Sequence, residues 1–332
     1  MTLSVVMVTY NSADVVEGAL QSIAGLWDEL LIGDGGSTDG TLEIVKKFGG
    51  MIVTQKAKDA LGERKQELVE RAGGPASTRE ESTRLDSDSL AVRRAKRARG
   101  GDWILVLDAD ERVSLRLSQE IKYILNHHKI MHVHNFVMKK NEGTTVVAYR
   151  IPYQNYVFGS PVYYGGEKYA KVRLFRKGFA KISAEALHEE VILSQELPKA
   201  RPSQRLRPGL QDGNVGALKG VIQHHSYRTP IQLIKKFTLY AWMAAARQTC
   251  QPRMTAAGVI LIRQKPGFQN AKPDFESDPV KKLFLYGPHM VWARFIKEKG
   301  YKDGWRGLAL ALAFGYMEGL TYWLQLFRNF TR

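Results

Sequence analysis

The chain has 332 residues, and its 49 Lys and Arg outnumber its 33 Asp and Glu, which gives a formal net charge of +16. This length allows one large domain with an appendage or two domains, and the positive charge attracts nucleic acid, anionic membrane surfaces or phosphorylated substrates without choosing among them. The single cysteine, Cys250, excludes an intramolecular disulfide framework and favours a reducing compartment.

The first fifty residues alternate between strand and helix patterns. Short apolar runs rich in β-branched residues lie at 3–8, 29–32 and 51–53, and apolar residues at helical spacing lie between them. Strands that alternate with helices form a mostly parallel sheet. The sequence therefore predicts an α/β domain with flanking helices.

A glycine-rich loop, Asp34–Thr41, follows the second predicted strand. Its glycines allow backbone N–H groups to approach a ligand, but the spacing matches neither a dinucleotide fingerprint nor a P-loop. Asp34 stands at the strand end, where we expect a role in ligand binding. For Asp39, a place in a tight turn near a helix N-cap is favoured.

A buried strand at 103–107 runs directly into Asp108 and Asp110. Ligands of open α/β sheets bind beyond the carboxyl ends of the strands, and residues i and i+2 of an extended segment point the same way. Two carboxylates in this arrangement suit Mg²⁺ or Mn²⁺ carrying a phosphate. The alternative is a polar turn with solvated acids.

Residues 57–100 are predicted to form a polar, mobile insertion, because the periodic pattern degrades there and a charged run follows Gly73-Gly74. The basic run at 90–99 is either a solvated face or a source of arginines for a diphosphate. Further along, Glu189 beside His188 is a candidate general base, with a surface pair as the alternative. His224 is a candidate third metal ligand or a structural histidine.

The last hundred residues, 228–332, combine apolar residues at helical spacing with Lys, Arg, Trp and Tyr. Basic, aromatic, amphipathic helices are typical of segments that lie in the membrane interface. The alternative is that these helices pack on the catalytic domain or on a second subunit, so a homo-oligomer stays open. We expect residues 1–227 to form one domain and 228–332 a C-terminal helical region.

Three segments in this order resemble the family 2 inverting glycosyltransferases, which have the GT-A fold: residues 5–11, 34–41 and 102–111. A narrower likeness is to the bacterial β-1,4-glucosyltransferase-like branch, which works on lipopolysaccharide core and related cell-envelope glycans. Its later elements are matched by Gly165-Gly166 before Arg173–Arg176, by His188-Glu189, by His224–Tyr227 and by Gly300–Gly304.

The resemblance implies a nucleotide-sugar donor, a UDP-sugar above all, and a glycan or glycolipid acceptor. The residues to which it assigns donor contacts are Thr9, Tyr10, Asn11, Asp34, Asp108 and an arginine, taken as Arg94 with Arg93 as the alternative. It implies that Asp110, with Asp108 nearby and His224 as an extra ligand, holds Mg²⁺ or Mn²⁺ on the diphosphate. Glu189 is the predicted base that deprotonates the acceptor hydroxyl, and Glu190 is the competing choice.

Two other classes of function are less consistent with the sequence. A catalytically silent nucleotide-sugar or glycan-binding protein is disfavoured because both motif aspartates and the His-Glu pair are present. A nucleic-acid-binding protein is disfavoured because no nucleic-acid module appears and the basic residues are scattered. The start of the chain lacks a signal-peptide pattern. We therefore expect a cytoplasmic protein bound peripherally to the inner face of the cytoplasmic membrane.

Overall fold

The structure is a computed structural model that describes residues 1–56, 60–73, 102–126, 146–183, 190–193, 215–249 and 279–330. It divides into two compact units. The first comprises Met1–Pro152 and Ala170–Gln223, and the second comprises Tyr153–Tyr169 and His224–Arg332. This division falls close to the predicted boundary at residue 227, but it assigns the segment 153–169 to the second unit.

The predicted α/β fold class is confirmed in the first unit. Its opening elements are strand β1 (Leu3–Thr9), helix α1 (Ala13–Ser22), strand β2 (Glu29–Asp34), helix α2 (Thr41–Lys47) and strand β3 (Met51–Thr54). All residues of β1 and β2 are buried, as expected for strands covered on both faces. β1 pairs in parallel with β2, and β2 pairs in parallel with β3.

The middle of the chain completes the sheet. Its elements are helix α3 (Leu61–Arg71), strands β4 (Trp103–Asp108) and β5 (Glu111–Val113), helix α4 (Leu115–Asn126), and strands β6 (Ala148–Val157), β7 (Ser160–Val162), β8 (Ala170–Arg176), β9 (Ala180–Ile182), β10 (Val191–Leu193), β11 (Val215–Ala217) and β12 (Ile222–Tyr227). The main strand order is β3-β2-β1-β4-β8-β6-β12-β5. β8 runs antiparallel to both β4 and β6, so the sheet is mixed.

Part of the predicted polar insertion is instead an ordered helix, which corrects the prediction for residues 61–71. Leu68, Val69 and the following Ala72 belong to the buried core that they share with Val6 and Val106. The helix is easily overlooked because its buried face also carries charged residues. The rest of the predicted insertion lies outside the described residues, except 60, 72 and 73.

Helices dominate the second unit: α5 (Pro230–Thr249), α6 (Pro279–Trp292) and α7 (Gly304–Phe330), with a π-helical turn (Ala293–Lys297) and a 3₁₀ turn (Gly300–Asp303) before α7. α6 and α7 approach closely at glycines, because a Cβ added to Gly315 would lie 2.8 Å from the carbonyl oxygen of Gly287. Leu233, Phe237 and Leu310 form a small core in this unit. The predicted C-terminal helices are therefore present.

Within the described part of the chain, no helix combines the length and hydropathy needed to cross a bilayer.

Candidate functional site

Three of the predicted site residues lie at the carboxyl ends of adjacent parallel strands in the first unit. Thr9 on β1 is in register with Asp34 on β2, and Val8 on β1 is in register with Asp108 on β4. This edge is where open α/β sheets bind ligands. We call this group, with the side chains that contact it, the strand-end site.

The Asp34 carboxylate holds the glycine-rich loop together. One of its oxygens accepts hydrogen bonds from the Thr9 hydroxyl at 2.9 Å and the Ser37 hydroxyl at 2.6 Å. The other accepts from the backbone N–H groups of Gly36 at 2.8 Å and Ser37 at 2.7 Å. A carboxylate has about four acceptor positions, so these four donors occupy it. The contacts that the structure describes thus fix the loop, and a contact of Asp34 with a base stays a prediction.

Asn11 ties the end of β1 to the same loop. Its backbone N–H donates to the Ser37 hydroxyl at 2.8 Å, and its side-chain oxygen accepts from the Thr38 N–H at 2.9 Å. Its φ of 45° lies in the left-handed region, which asparagine tolerates better than most residues. The neighbouring Tyr10 is 53% exposed, so its ring is available at the rim of the strand-end site.

Asp39 makes turn and cap contacts. Its carboxylate accepts from the Thr41 hydroxyl at 2.5 Å, the Thr41 N–H at 3.2 Å and the Ala13 N–H at 3.0 Å. The Thr41 hydroxyl, followed by these backbone donors, holds the pKa of Asp39 below its ordinary value. Asp39 therefore links the starts of α1 and α2, which is the structural role favoured from the sequence.

Asp108 lies in a cluster of buried charges. One of its carboxylate oxygens is 2.5 Å from the Lys65 ammonium, and the other is 3.2 Å from the Arg173 guanidinium. Arg173 also lies 3.4 Å from Glu111, whose second oxygen accepts the Asp108 backbone N–H at 3.0 Å. The side chains of Lys65, Arg173 and Glu111 are 1–4% exposed, whereas that of Asp108 is 25% exposed. Asp108 is thus the member of the cluster that reaches solvent.

A third buried cation, Arg64, contacts the ends of β1 and β2. Its guanidinium donates to the carbonyl oxygens of Thr9 at 3.1 Å and Gly33 at 3.4 Å, and to the Gln55 side chain at 3.2 Å. Arg64 is 6% exposed. Arg64 therefore donates hydrogen bonds to carbonyl groups at the strand ends and adds buried positive charge next to the strand-end site.

Three buried cations of the strand-end site, Lys65, Arg64 and Arg173, were not predicted as site residues. One signal was available for the first two, since they share a helix face with the core residues Leu68 and Val69. Cations on an apolar helix face are buried with it and need partners. Arg173 was noted only as part of the resemblance at Arg173–Arg176, and no local pattern links it to Asp108, which lies 65 residues away along the chain.

The donor set at this edge limits how a divalent metal could bind. Both oxygens of Asp108 contact cationic side chains, so Asp108 does not fit a metal ligand unless Lys65 or Arg173 is displaced. Asp110 lies in the turn after β4 and is partly exposed. Mg²⁺ is commonly held by one or two carboxylates together with substrate phosphates, and Asp110 fits that type of site. Within the described ranges, no group of three or more His, Cys, Asp or Glu side chains is arranged to hold a metal ion.

His224, the predicted extra metal ligand, belongs to the second unit. Its Nδ1 is 3.0 Å from the Asn155 side-chain oxygen, and its Nε2 is 2.5 Å from the Ser226 hydroxyl. Asn155 also donates to Glu167, which forms a buried ion pair with Arg294. Burial, opposed by the Glu167 charge, lowers the pKa of Arg294. His224 is therefore part of a polar network inside its unit, and metal ligation by it stays a prediction.

Two predicted residues, Arg94 and Glu189, lie outside the described residues. The competing base, Glu190, is described and exposed. Its backbone N–H donates to the Ser183 hydroxyl at 2.9 Å, and its carbonyl oxygen accepts from the Ser183 N–H at 2.9 Å. These contacts join β9 and β10, so Glu190 is anchored by its backbone, and its side chain is placed at the surface.

Comparison with known proteins supports the family resemblance. Residues 4–79 match the model of the family described as Glycosyl transferase family 2. An uncharacterized glycosyltransferase, RP128, of Rickettsia prowazekii is 22% identical over 250 residues, which is 72% of this chain and 65% of that protein. An uncharacterized glycosyltransferase of Rickettsia conorii, RC0292, is 28% identical over 126 residues, or 38% of this chain and 35% of that protein. The chain thus spans about 65% of the first of these relatives.

Among solved structures, Staphylococcus aureus TarS 1–349 in complex with UDP-GlcNAc aligns with 100% of this chain and 93% of that chain. The sequence identity is 13% and the TM-score is 0.39. This similarity is too low to establish a shared fold.

Proposed function

We propose that the protein is an inverting glycosyltransferase that moves a sugar from a nucleotide-diphosphate donor, a UDP-sugar above all, to a hydroxyl group of a cell-envelope glycan or glycolipid. The observation that carries the proposal is the strand-end site, where Thr9, Asp34 and Asp108 meet at adjacent strand ends. The family match at residues 4–79 covers the first two of these residues and Lys65.

The donor would bind across the ends of β1, β2 and β4. The loop held by Asp34 offers backbone groups to the nucleoside, and Tyr10 is exposed enough to stack on a base. Asp108 contacts Lys65 and Arg173 and reaches solvent, which supports the proposal that it accepts hydrogen bonds from ribose hydroxyls.

Negative charge builds on the diphosphate when its bond to the anomeric carbon breaks. Groups that stabilise this developing charge lower the barrier. A divalent cation bound by Asp110 and the phosphates would supply Lewis-acid stabilisation of the leaving group. The chain itself contributes the buried positive charge of Lys65 and Arg173, which limits the repulsion between Asp108 and the diphosphate.

The acceptor hydroxyl must lose a proton as it attacks the opposite face of the sugar. Glu189 is the proposed base and Glu190 the alternative, each of which could accept this proton. Single Glu189→Gln and Glu190→Gln variants decide between them. Loss of the base is expected to lower kcat by about 10²–10⁴-fold with little change in donor affinity. If neither variant loses turnover, the base lies elsewhere.

The first test is thermal unfolding with UDP, GDP, CDP and ADP, each with and without Mn²⁺, on the wild type and on Asp110→Ala. A ligand at about one hundred times its Kd stabilises the folded state by about 2.7 kcal/mol. We expect a Mn²⁺-dependent rise in Tm with one nucleotide, lost in the variant. An equal rise in the variant would contradict metal ligation by Asp110, and no rise with any nucleotide would contradict the donor site.

A catalytically silent nucleotide-sugar or glycan-binding protein is the second candidate. It shares the binding step, so only turnover separates the two. Hydrolysis or transfer from the stabilising nucleotide's sugar conjugate, measured as nucleoside-diphosphate release, supports the enzyme. Binding without release, in the presence of Mn²⁺ and envelope glycan acceptors, supports the silent protein.

A further inference from the structure

The outer side of α7 carries a long stripe of large apolar residues. They recur at the spacing of one helix face, which is typical of a buried surface. They nevertheless stay exposed, at 58% for Trp305, 50% for Trp323 and 55% for Phe327. The members of the stripe are Trp305, Leu308, Leu312, Tyr316, Trp323 and Phe327.

Helix α5 adds exposed apolar residues beside this stripe. Its exposed apolar residues include Ile231, Ile234 and Trp242, which is 52% exposed. The two helices meet at this surface, because the Thr238 hydroxyl is 2.9 Å from the Tyr316 hydroxyl. We call the α7 stripe and these three α5 residues, together, the aromatic face.

The aromatic face is distinct from the side of the helices that packs inside the unit. Leu310 and Ala313 of α7 join Leu233 and Phe237 of α5 in the buried core. The small residues of α7 are also used internally, since Gly315 lies against α6. Among the described residues, the core of the unit is thus formed by other positions of α5 and α7, and of the aromatic face Trp305 also stacks on Phe158 at 5.4 Å.

The unit that carries this face is positively charged. Helix α5 contains no Asp or Glu, and α7 contains only Glu318. In the described residues of the second unit, thirteen Lys and Arg stand against four Asp and Glu. Lys235 and Lys297 are exposed beside the exposed apolar residues Ile234 and Ile296. A potential of this sign attracts anionic headgroups.

We propose that the aromatic face binds the surface of an anionic lipid bilayer, with its Trp, Tyr and Leu side chains inserted at the headgroup boundary. Tryptophan and tyrosine favour this depth because one part of each ring system is apolar and another is polar. Lysines at the rim interact with the anionic headgroups of a cytoplasmic leaflet. The result is a peripheral attachment that lies along the membrane and does not span it.

A second copy of this chain fits the aromatic face less well. A symmetric dimer places the same patch on both subunits, so each face would meet itself. Two units of the same positive charge would then come together, and like charges placed together are unfavourable. A bilayer with anionic lipids instead supplies the opposite charge.

The test is co-sedimentation of the full-length protein with vesicles of phosphatidylglycerol and phosphatidylcholine, and with vesicles of phosphatidylcholine alone. The main variant is Trp323→Ser/Phe327→Ser, which removes two exposed, mutually stacked rings at 5.5 Å. The matched control is Leu115→Ser, which changes an 86% exposed apolar residue of the first unit. We expect the control to bind like the wild type and the double variant to bind more weakly by on the order of tenfold.

A second variant guards against misfolding of the first. Lys235→Glu/Lys297→Glu reverses two exposed charges and leaves the apolar residues in place. It should weaken binding to anionic vesicles by at least about tenfold and leave binding to phosphatidylcholine unchanged. Thermal unfolding of every variant checks that the fold is retained.

Each other outcome overturns the proposal. If the wild-type protein does not bind anionic vesicles, the aromatic face is not a membrane-binding surface. Equal binding by the wild type and both folded variants places the lipid contact elsewhere. A wild-type dimer in light scattering that Trp323→Ser/Phe327→Ser converts to a monomer, without vesicle binding, identifies a second copy as the occupant. Nucleotide binding is measured separately, so failure here leaves the proposed reaction untouched.

Discussion

Replacing Lys65 by methionine tests whether the strand-end site depends on its buried charges. The Lys65 side chain is 1% exposed and its ammonium lies 2.5 Å from Asp108. Methionine keeps much of the side-chain volume and removes the charge. Removing one partner of a buried ion pair costs about 3–5 kcal/mol.

The expected loss for Lys65→Met is smaller than that range. Asp108 is 25% exposed and keeps Arg173 as a partner at 3.2 Å, so solvent and the guanidinium compensate in part. We expect a loss of about 2–3 kcal/mol in the free energy of unfolding. In a unit of this size that loss lowers Tm by about 4–12 °C.

The measurement is urea unfolding followed by circular dichroism, for Lys65→Met, Asp108→Asn and the double variant. Because the two residues are in contact, their effects should fall short of additivity by about 1–2 kcal/mol. Lys122→Met is the matched control, since Lys122 is exposed on α4, and it should change stability by less than about 0.5 kcal/mol. A Lys65→Met loss as small as that of the control, or additive single effects, would refute the ion pair.

Three further predictions concern a helix contact, the glycine-rich loop and alkaline pH. Gly315→Ala should destabilise the second unit by about 1–3 kcal/mol in urea unfolding, because the new Cβ would lie 2.4 Å from Val291. The control, Gly319→Ala, would place its Cβ with nothing within 4 Å, so it should be neutral or stabilise by up to about 1 kcal/mol. Equal effects of the two substitutions would contradict the α6–α7 contact. Asp34→Ala should lower the free energy of unfolding by about 2–3 kcal/mol and increase amide hydrogen exchange in the loop that follows. Unchanged exchange would show that the loop does not depend on this carboxylate. Burial raises the pKa of Tyr149 to about 12, against an opposing effect of Arg176, so between pH 10 and 12 the unfolded chain loses the phenol proton while the folded protein keeps it. The free energy of unfolding should therefore fall by up to about 1.4 kcal/mol per pH unit in that range, and Tyr149→Phe should show a shallower fall; an identical slope in the variant would contradict the shifted pKa.

The sequence by itself determined the first part of the fold and the edge on which the site lies. Continuous β-branched runs separated by helical spacing specify parallel strands, and acids directly after such runs fall at the strand ends. Asp34 and Asp108 could therefore be assigned to strand ends from local pattern, and the family resemblance added Thr9. The turn role of Asp39 followed in the same way, because caps and turns depend on neighbouring residues.

Only the tertiary structure decided which charges meet at that edge. Lys65 lies on helix α3, which was not predicted because its sequence is mostly polar. Arg173 lies on a strand, 65 residues beyond Asp108 along the chain. Such pairing depends on how distant elements pack, and no local period encodes it. The same holds for α7, which has apolar residues on two faces: the face with Leu310 is buried, and the face with Trp323 is exposed. A period shows that a helix has an apolar face, but only its neighbours determine whether that face is covered.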